Sequence, residues 1–392
     1  MKLSIESVDL AGRRVFLRAD LNAPLDGGAV SDDTRLTAVL PTIRHALEHG
    51  ASVVLASHLG RPKGGPDPKY SLAPVATRLA ALLDRPIPLA PDCVGPETEN
   101  LARALKPGEI LLLENLRFHP EEEANDDDFA RRLAALADVY VNDAFAAAHR
   151  AHASIAAITR HLKPAAAGLL MRRELEALGR ILEAPQRPLV ALLGGAKVSD
   201  KIALVESLLS KVDALLIGGG MAFTFLRALG HDVGKSLVEP DRIEMARSAL
   251  ETARRRGVQI VLPVDAVVAP GLDSPSGRAV SIREIPANQM GLDLGPASVE
   301  QFGTTLRAAK TIVWNGPMGV FEKPPFAAGT VGVARAVVGG SAFSVIGGGD
   351  TIAAVNQAGI ADRIGYISTA GGAFLEFLEG RALPGVEALT EA

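Results

Sequence analysis

The chain has 392 residues, of which 48% are hydrophobic and 22% are charged, and its formal net charge is −4. This composition is typical of a globular protein, and the length exceeds what one hydrophobic core usually organises, so we expect two domains. The slightly acidic charge and the 4% aromatic content argue against nucleic-acid binding, which depends on basic patches and stacking aromatic rings. A small-molecule enzyme is the better expectation.

Several features favour a cytoplasmic protein that does not associate with membranes. Residues 1–6 lack the apolar core and cleavage site of a signal peptide, and apolar runs such as residues 189–193 are too short to cross a bilayer. Cys93 is the only cysteine, which excludes an intramolecular disulfide and a metal site built from several cysteines. We expect Cys93 to be structural.

Cationic and polar residues follow the predicted strands of the first half. Short apolar runs alternate with helical patterns, which predicts an α/β protein with largely parallel sheets. The predicted strands of this half are residues 15–17, 52–55, 110–113 and 139–141. Ligands of such sheets bind beyond the carboxyl ends of the strands, where this half places Arg35, His58, Arg61, Arg117 and Arg150. If these strand ends share one edge, the cations form a trap for a small, highly anionic metabolite. Arg18, at the end of the first strand, is interpreted as structural.

A predicted helix separates the two halves. Residues 171–183 carry apolar residues at helical spacing, and Pro185 and Pro188 follow. We interpret this segment as a helix joining two domains, with the boundary near residues 170–187.

Glycine follows the predicted strands of the second half. These strands are residues 189–192, 214–217, 260–262, 311–314 and 343–346. Their ends lead into glycine-rich segments at residues 194–201, 218–221, 315–319 and 347–351. Glycine lets the backbone approach phosphate closely, and the N-terminus of a helix supplies N–H donors. Thr351 begins a helical pattern and Asp350 is a plausible Mg²⁺ ligand, so this half is predicted to bind a nucleotide.

One motif is a decoy. Residues 230–236 (GHDVGKS) resemble a Walker A loop, but only three residues separate the glycines and the segment follows a helical pattern. We expect a helix cap and a loop there, and neither a P-loop nor a protein-kinase glycine loop is supported.

Each of these residues alone would be interpreted as structural, but their combined positions at the strand ends favour a functional site. A single arginine is usually a surface charge, a single histidine is usually structural, and a glycine pair is usually a tight turn. Four cationic strand ends in one half and several glycine-rich ends in the other favour phosphoryl transfer across a two-domain cleft.

The motifs resemble those of the phosphoglycerate kinase family, in the family's order from residue 18 to residue 372. They are RADLNAP (18–24), SHLGRP (57–62), LENLRFH (113–119), DAF (143–145), HRAH (149–152), GGAKVSDK (194–201), WNGPMGVFE (314–322), GGGDT (347–351) and Ser368-Thr369 with Gly371-Gly372.

The resemblance implies two Rossmann-like three-layer domains, each with a mostly parallel sheet, joined by a helix and facing across a cleft. It implies a 3-phosphoglycerate-binding domain (1–170), a connecting helix or hinge (171–187), a nucleotide-binding domain (188–372) and a final segment (373–392) that packs back on the first domain. The implied reaction is reversible, Mg²⁺-dependent transfer of the acyl phosphate of 1,3-bisphosphoglycerate to ADP, giving 3-phosphoglycerate and ATP. A monomer is expected.

The resemblance also implies the site residues. Those implied to hold 3-phosphoglycerate are Asp20, Asn22, Arg35, His58, Gly60, Arg61, Arg117 and Arg150. Those implied to hold the nucleotide are Gly195, Ala196, Lys197, Lys201, Gly291, Glu322, Gly348, Gly349, Asp350, Thr351, Gly371 and Gly372. The catalytic residues would be Arg35, Lys197 and Lys201, with Mg²⁺ near Asp350.

Two alanines depart from the family pattern. Ala146 and Ala370 stand where glycine is expected, and alanine disfavours positive φ, so we expect altered loop geometry there. Two other functions stay open: a non-catalytic phosphometabolite or nucleotide sensor on the same scaffold, and a two-domain kinase acting on another carboxylate.

Overall fold

The computed structural model describes residues Met1–Ala392, which divide into two compact units. The first unit comprises Met1–Glu176 and Ala382–Ala392, and the second comprises Ala177–Arg381. The strands are β1 (Arg14–Arg18), β2 (Leu25–Asp26), β3 (Ala29–Val30), β4 (Ser52–Ala56), β5 (Ile110–Leu112), β6 (Val139–Asn142), β7 (Ala165–Ala167), β8 (Leu189–Leu193), β9 (Ala214–Ile217), β10 (Gln259–Val261), β11 (Asp265–Ala269), β12 (Arg278–Ser281), β13 (Met290–Leu294), β14 (Thr311–Asn315), β15 (Phe343–Gly347) and β16 (Tyr366–Ser368).

The helices alternate with the strands along most of the chain. They are α1 (Thr34–Glu48), α2 (Ala73–Leu83), α3 (Pro96–Ala104), α4 (Pro120–Glu123), α5 (Asp127–Ala134), α6 (Leu169–Leu182), α7 (Ile202–Leu208), α8 (Met221–Ala228), α9 (Ile243–Arg256), α10 (Pro296–Ala308), α11 (Ala328–Val337), α12 (Gly349–Gln357), α13 (Gly372–Leu378) and α14 (Pro384–Glu387). None of them combines the length and the apolar character that crossing a membrane would require.

The first unit is built on a five-stranded parallel sheet in the order β5-β4-β1-β6-β7. Strand β4 is buried along its whole length, and Ile43 of α1 and Leu79 of α2 belong to the core beside it. Burial on both faces explains why these strands are almost continuously apolar. The four strands predicted in this half are confirmed, and their carboxyl ends meet at one edge of the sheet.

The second unit contains a six-stranded parallel sheet in the order β10-β9-β8-β14-β15-β16. Trp314 of β14 and Phe302 of α10 are completely buried in its core. The five strands predicted in this half are confirmed, so the mixed α/β architecture holds for both units. A separate three-stranded antiparallel sheet, β12-β11-β13, was not predicted.

The chain passes between the units within α6, since the division falls between Glu176 and Ala177. The helix predicted over residues 171–183 is confirmed. The return to the first unit differs from the expected start at residue 373, because it begins at Ala382. Helix α13 remains in the second unit, where the backbone oxygen of Leu378 accepts hydrogen bonds from Ser207 Oγ (3.1 Å) and Lys211 Nζ (3.0 Å).

The final segment is tied to the first unit by backbone hydrogen bonds. The amide of Gly385 donates to Ala148 O (2.8 Å), and the amide of Thr390 donates to Ala165 O (2.9 Å). The N-terminus joins the same arrangement, since the amide of Leu3 donates to Thr390 O (2.8 Å).

Candidate active site

Polar contacts join the segments that follow β1, β4 and β5 in the first unit. Asp20 Oδ2 accepts from Arg35 Nη1 at 2.8 Å. Asn22 Oδ1 accepts from the amide of Gly60 at 2.8 Å, and Gly60 O accepts from Arg117 Nη1 at 2.8 Å. These bonds bring five of the predicted 3-phosphoglycerate residues to one edge of the sheet.

Gly60 is required by its surroundings. Its φ is +60°, and a Cβ built there would lie 2.4 Å from Cε1 of Tyr70. A side chain would therefore displace the Tyr70 ring and disturb the backbone that links Asn22 to Arg117.

His58 is a buried neutral donor in this cluster. Its Nδ1 lies 3.2 Å from Arg18 Nη2, and because arginine can only donate, the imidazole proton must be on Nε2. Burial, followed by the charges of Arg18, Arg117 and Arg35, holds the His58 pKa well below its usual value. Arg18 is almost fully buried and also donates to Ser154 Oγ (2.9 Å), which confirms its structural role.

The remaining arginines leave positive charge at this edge. Burial lowers the Arg117 pKa, Glu123 at 3.3 Å opposes that shift, and the nearby charge of Arg150 adds to it. Arg150 is half-buried and its Nε lies 3.1 Å from His149 Nε2. The Arg61 side chain is exposed beside Gly60, and it makes no hydrogen bond or ion pair within the chain. An anion would therefore find the guanidinium groups of Arg61 and Arg150 without a carboxylate partner.

In the second unit, Lys201 connects three glycine-rich loops. Its Nζ donates to Gly194 O (2.7 Å), Asn315 O (3.0 Å) and Asn315 Oδ1 (2.5 Å). Asn315 Nδ2 in turn donates to Gly347 O (2.7 Å). All three ammonium protons are thus used inside the protein, and the ends of β8, β14 and β15 are held together.

Burial lowers the Lys201 pKa to about 8, although Asp350 and Asp200 oppose the shift. The side chain therefore remains mostly protonated at neutral pH and is poised to lose its charge in mildly alkaline solution. Lys197, by contrast, is exposed and its ammonium group makes no hydrogen bond.

The N-terminus of α12 is arranged to receive an anion. Gly348 precedes it with φ +98°, and the helix begins at Gly349 with Asp350 exposed in its first turn. The Thr351 hydroxyl accepts from the amide of Gly316 (2.7 Å) and donates to Gly347 O (3.0 Å). Since that hydroxyl is engaged, Thr351 offers a ligand its backbone N–H, together with the other first-turn amides.

A cavity of about 390 Å³ opens beside these loops. The predicted nucleotide residues that line it are Gly195, Ala196, Gly291, Glu322 and Asp350. Lining residues that the sequence did not suggest include Phe223, Leu237, Leu272, Met290 and Leu292. The walls are largely apolar, which suits a flat heteroaromatic base.

Gly291 shapes this cavity. A Cβ built at Gly291 would lie 2.1 Å from Cζ of Phe223. Its amide donates to Ser236 Oγ at 2.9 Å, so residues 230–236, the predicted decoy, support the cavity wall. This segment is a loop after α8, as expected.

Asp293 is a further lining residue that sequence reasoning missed. It is buried, and Oδ2 accepts from the amide of Gly329 at 2.6 Å while Oδ1 has no hydrogen-bond partner. Burial raises the Asp293 pKa to about 7, and backbone donors at the start of α11 oppose that shift. The sequence signal that could have identified Asp293 is its charge within the otherwise apolar strand β13.

Not every predicted nucleotide residue lines the cavity. Gly371 and Gly372 are exposed after β16, and Lys197 lies next to the lining residue Ala196. Ala146 and Ala370 do not require glycine, because Asp84 and Asn125 are the only non-glycine residues with positive φ. The backbone at the two alanines therefore adopts conformations open to any residue, and no altered loop geometry is required there.

Comparisons with known proteins identify the family to which this chain belongs. The family model described as phosphoglycerate kinase matches residues 5–381. The phosphoglycerate kinase of Acidobacterium capsulatum is 58% identical, covering 100% of this chain and 99% of its own length. That of Moorella thermoacetica is 55% identical, covering 100% and 99%.

Two solved structures share the fold. The phosphoglycerate kinase of Coxiella burnetii has a TM-score of 0.93 and 44% identity, covering 99% of this chain and 98% of its own. The enzyme of Pyrococcus horikoshii has a TM-score of 0.81 and 36% identity, with the same coverage. This chain belongs to the phosphoglycerate kinase family.

Proposed function

We propose that this chain transfers the acyl phosphate of 1,3-bisphosphoglycerate to ADP, reversibly, giving 3-phosphoglycerate and ATP. One observation carries the proposal: each unit has, at the carboxyl edge of its parallel sheet, a site of different chemistry. The first unit presents a cluster of guanidinium groups with a neutral imidazole, and the second presents a glycine-lined helix N-terminus beside an apolar cavity.

The first unit is proposed to bind 3-phosphoglycerate or the bisphosphate. Arg61, Arg117 and Arg150 would neutralise its phosphate oxygens, and the neutral His58 would donate from Nε2. Asp20 and Asn22 can accept a hydrogen bond from the substrate hydroxyl, while Arg35 and the backbone of Gly60 complete the pocket.

The second unit is proposed to bind ADP or ATP. The adenine would lie in the cavity against Gly291, and Glu322 would accept hydrogen bonds from the ribose hydroxyls. The phosphates would contact Gly195, Ala196, Lys197 and the first turn of α12, where the N–H donors of residues 348–351 favour negative charge. Gly371 and Gly372, at the neighbouring strand end, are assigned to the same phosphate region.

Mg²⁺ fits this arrangement. Mg²⁺ prefers one or two carboxylates together with substrate phosphates, and the exposed Asp350 carboxylate lies on the cavity wall next to the proposed phosphate site. Asp350 would hold the ion directly or through water, and the bound ion would offset negative charge on the nucleotide.

The residues needed for catalysis follow from the chemistry of the acceptor. A carboxylate with a pKa of about 4 is already ionised at neutral pH, so phosphoryl transfer to it from ATP needs no general base. Catalysis then depends on alignment and on neutralising the oxygens of the transferring group. We assign this role to Arg35, Lys197 and Lys201, with Lys201 acting through its charge or by exchanging an internal acceptor for a phosphoryl oxygen.

Two ligands held by different units must meet for transfer, so we propose that residues 170–187 act as a hinge. The enzyme is proposed to be monomeric and cytoplasmic, with small-molecule partners only.

A coupled assay with 3-phosphoglycerate, ATP and Mg²⁺ tests the proposed function. We expect turnover that requires all three, and we expect Lys201→Ala to lower kcat at least about a hundredfold because a charge that stabilises the transition state is removed. Lys211→Ala is the matched control, since Lys211 is also partly buried and bonded to a backbone oxygen but lies outside this site. Ligand binding without turnover in the wild type would instead support the sensor alternative.

A further inference from the structure

Three side chains of types that can bind a metal ion lie together in the first unit, apart from the arginine cluster. Asp92, Cys93 and His119 each place a ligand atom within 4.8 Å of the others. His119 Nε2 and Asp92 Oδ1 are 2.7 Å apart, and Cys93 is completely buried beside them. The proposed kinase reaction uses none of these three residues.

The surrounding fold holds the three residues in place. The backbone oxygen of Asp92 accepts from Thr98 Oγ1 (2.9 Å) at the start of α3. The His119 ring stacks on Phe129, with 5.2 Å between ring centroids, and His119 directly precedes α4. The Asp92 and His119 side chains keep 43% and 25% of their surface exposed, so an ion can reach the cluster from solvent.

A simple hydrogen-bonded pair accounts for only part of this arrangement. Asp92 Oδ1 accepts from the amide of Cys93 (2.6 Å) as well as pairing with His119, which would explain an ordered turn. The same kind of pair occurs between His161 and Asp127 at 2.9 Å, but no thiol accompanies it. The His119–Asp92 pair differs because a third potential metal ligand, the Cys93 thiol, lies beside it.

We infer that Asp92, Cys93 and His119 form a binding site for a borderline-soft divalent cation of the Zn²⁺ type. A thiolate, an imidazole and a carboxylate are ligands that Zn²⁺ accepts, and three protein ligands leave a fourth position for water. A thiolate and a carboxylate together neutralise the charge of the ion. Mg²⁺ would not compete well, because it requires oxygen ligands in octahedral geometry.

Binding requires a small adjustment of the side chains. Tetrahedral zinc ligands lie about 3.5 Å from one another, as follows from bond lengths of about 2.0 to 2.3 Å. Separations of up to 4.8 Å must therefore shrink and the 2.7 Å separation of His119 Nε2 and Asp92 Oδ1 must widen, which rotation of these two partly exposed side chains can supply. The cation takes the place of the proton on His119 Nε2, which moves to Nδ1 or to solvent, and the Cys93 thiol releases its proton to solvent.

The expected consequence is local. The ion would join the segment before α3 to the segment before α4, only two residues from Arg117. Occupancy should stabilise the fold and restrain the segment that carries Arg117, by mass action on the folded state.

Co²⁺ titration of the reduced full-length protein tests the inference, because a thiolate-to-cobalt charge-transfer band reports ligation by Cys93 directly. We expect this band in the wild type, its loss on addition of Zn²⁺, and its persistence in excess Mg²⁺. We also expect proton release in weakly buffered solution. Since these measurements use the wild type, they do not depend on whether a variant folds.

Variants then assign the ligands. Cys93→Ala should abolish the band, and His119→Gln should raise the Kd for Co²⁺ by at least about tenfold, since loss of even an outer-shell partner costs about 10- to 100-fold. His161→Gln is the matched control and should bind Co²⁺ like the wild type. A wild-type protein without the charge-transfer band, or with Co²⁺ bound equally well by Cys93→Ala, would overturn the inference.

Discussion

The surroundings of Lys201 determine its hydrogen bonds and its pKa, which the sequence motif does not show. The sequence predicts a lysine near the phosphoryl group, but it does not reveal that all three ammonium protons are bonded to Gly194 and Asn315. Those acceptors follow different strands and lie far apart in sequence. The lowered pKa of about 8 is a property of that burial.

The pH dependence of kcat/KM for ATP tests the role of the Lys201 charge. A lysine whose pKa is lowered to about 8 is protonated below that pH and neutral above it. We therefore expect kcat/KM for ATP, which reports the free enzyme, to fall about tenfold between pH 7 and pH 9 as the protonated fraction falls. Lys201→Arg should remove this decline, because guanidinium does not titrate in this range.

The comparison uses the relative pH profiles of the two enzymes, so a lower absolute rate for Lys201→Arg does not affect it. An alkaline decline of the same size and midpoint in Lys201→Arg would assign the titration to another group.

In the first unit, likewise, the sequence predicts residue types but not protonation states. The residue types of the arginine cluster were predictable, because each follows a predicted strand. The neutral state of His58 was not, because it arises from burial and from the neighbouring Arg18. Protonation states depend on tertiary contacts that no local pattern encodes.

At the scale of elements, the parallel strands were predictable and the cavity walls were not. Continuous apolar runs identify strands that are buried on both faces. The antiparallel sheet β12-β11-β13 carries such a run only in β11, since β12 is half exposed and a charged residue interrupts β13. Its residues Met290, Gly291 and Leu292 nevertheless form much of the cavity wall together with Phe223 of α8.

Other elements escaped prediction for simple reasons. Strand β7 consists of three alanines, which carry no β-branched signal. Helix α13 lies near the expected domain boundary, and only its packing against α7 assigns it to the second unit.

Gly291→Ala tests whether the cavity holds the nucleotide base. The added Cβ would lie 2.1 Å from Cζ of Phe223 and would force that ring to move. Overpacking of this kind costs about 1–3 kcal/mol of folding stability. Because Phe223 lines the cavity, its displacement should also reshape the wall that contacts the base, and we expect the KM for ADP to rise about tenfold, or about 1.4 kcal/mol. The affinity for 3-phosphoglycerate, measured by calorimetry, should not change.

Gly271→Ala is the matched control, because a Cβ there meets no atom within 4 Å and its φ is not positive. An unchanged KM for ADP in a folded Gly291→Ala enzyme would place the base elsewhere.

At the scale of the whole molecule, the alternation of strands and helices predicted two α/β units but not the strand order within them. In the order β5-β4-β1-β6-β7, strands that are neighbours in the sheet are often distant in sequence. The same holds for Gly194 and Asn315, which follow the adjacent strands β8 and β14. The sequence therefore predicts which side chains are available, and the topology decides which of them meet.

The proposed function requires the two ligands to bind to different units. Crossed calorimetry with Arg61→Ala and Lys197→Ala measures this division of binding, since both side chains are exposed and neither makes a hydrogen bond that its loss would break. We expect Arg61→Ala to weaken 3-phosphoglycerate binding about tenfold and to leave ATP binding nearly unchanged, because one charge-assisted contact contributes about 1.5–3 kcal/mol. Lys197→Ala should show the reverse pattern. Equal losses for both ligands in either variant would contradict the division of binding between the units.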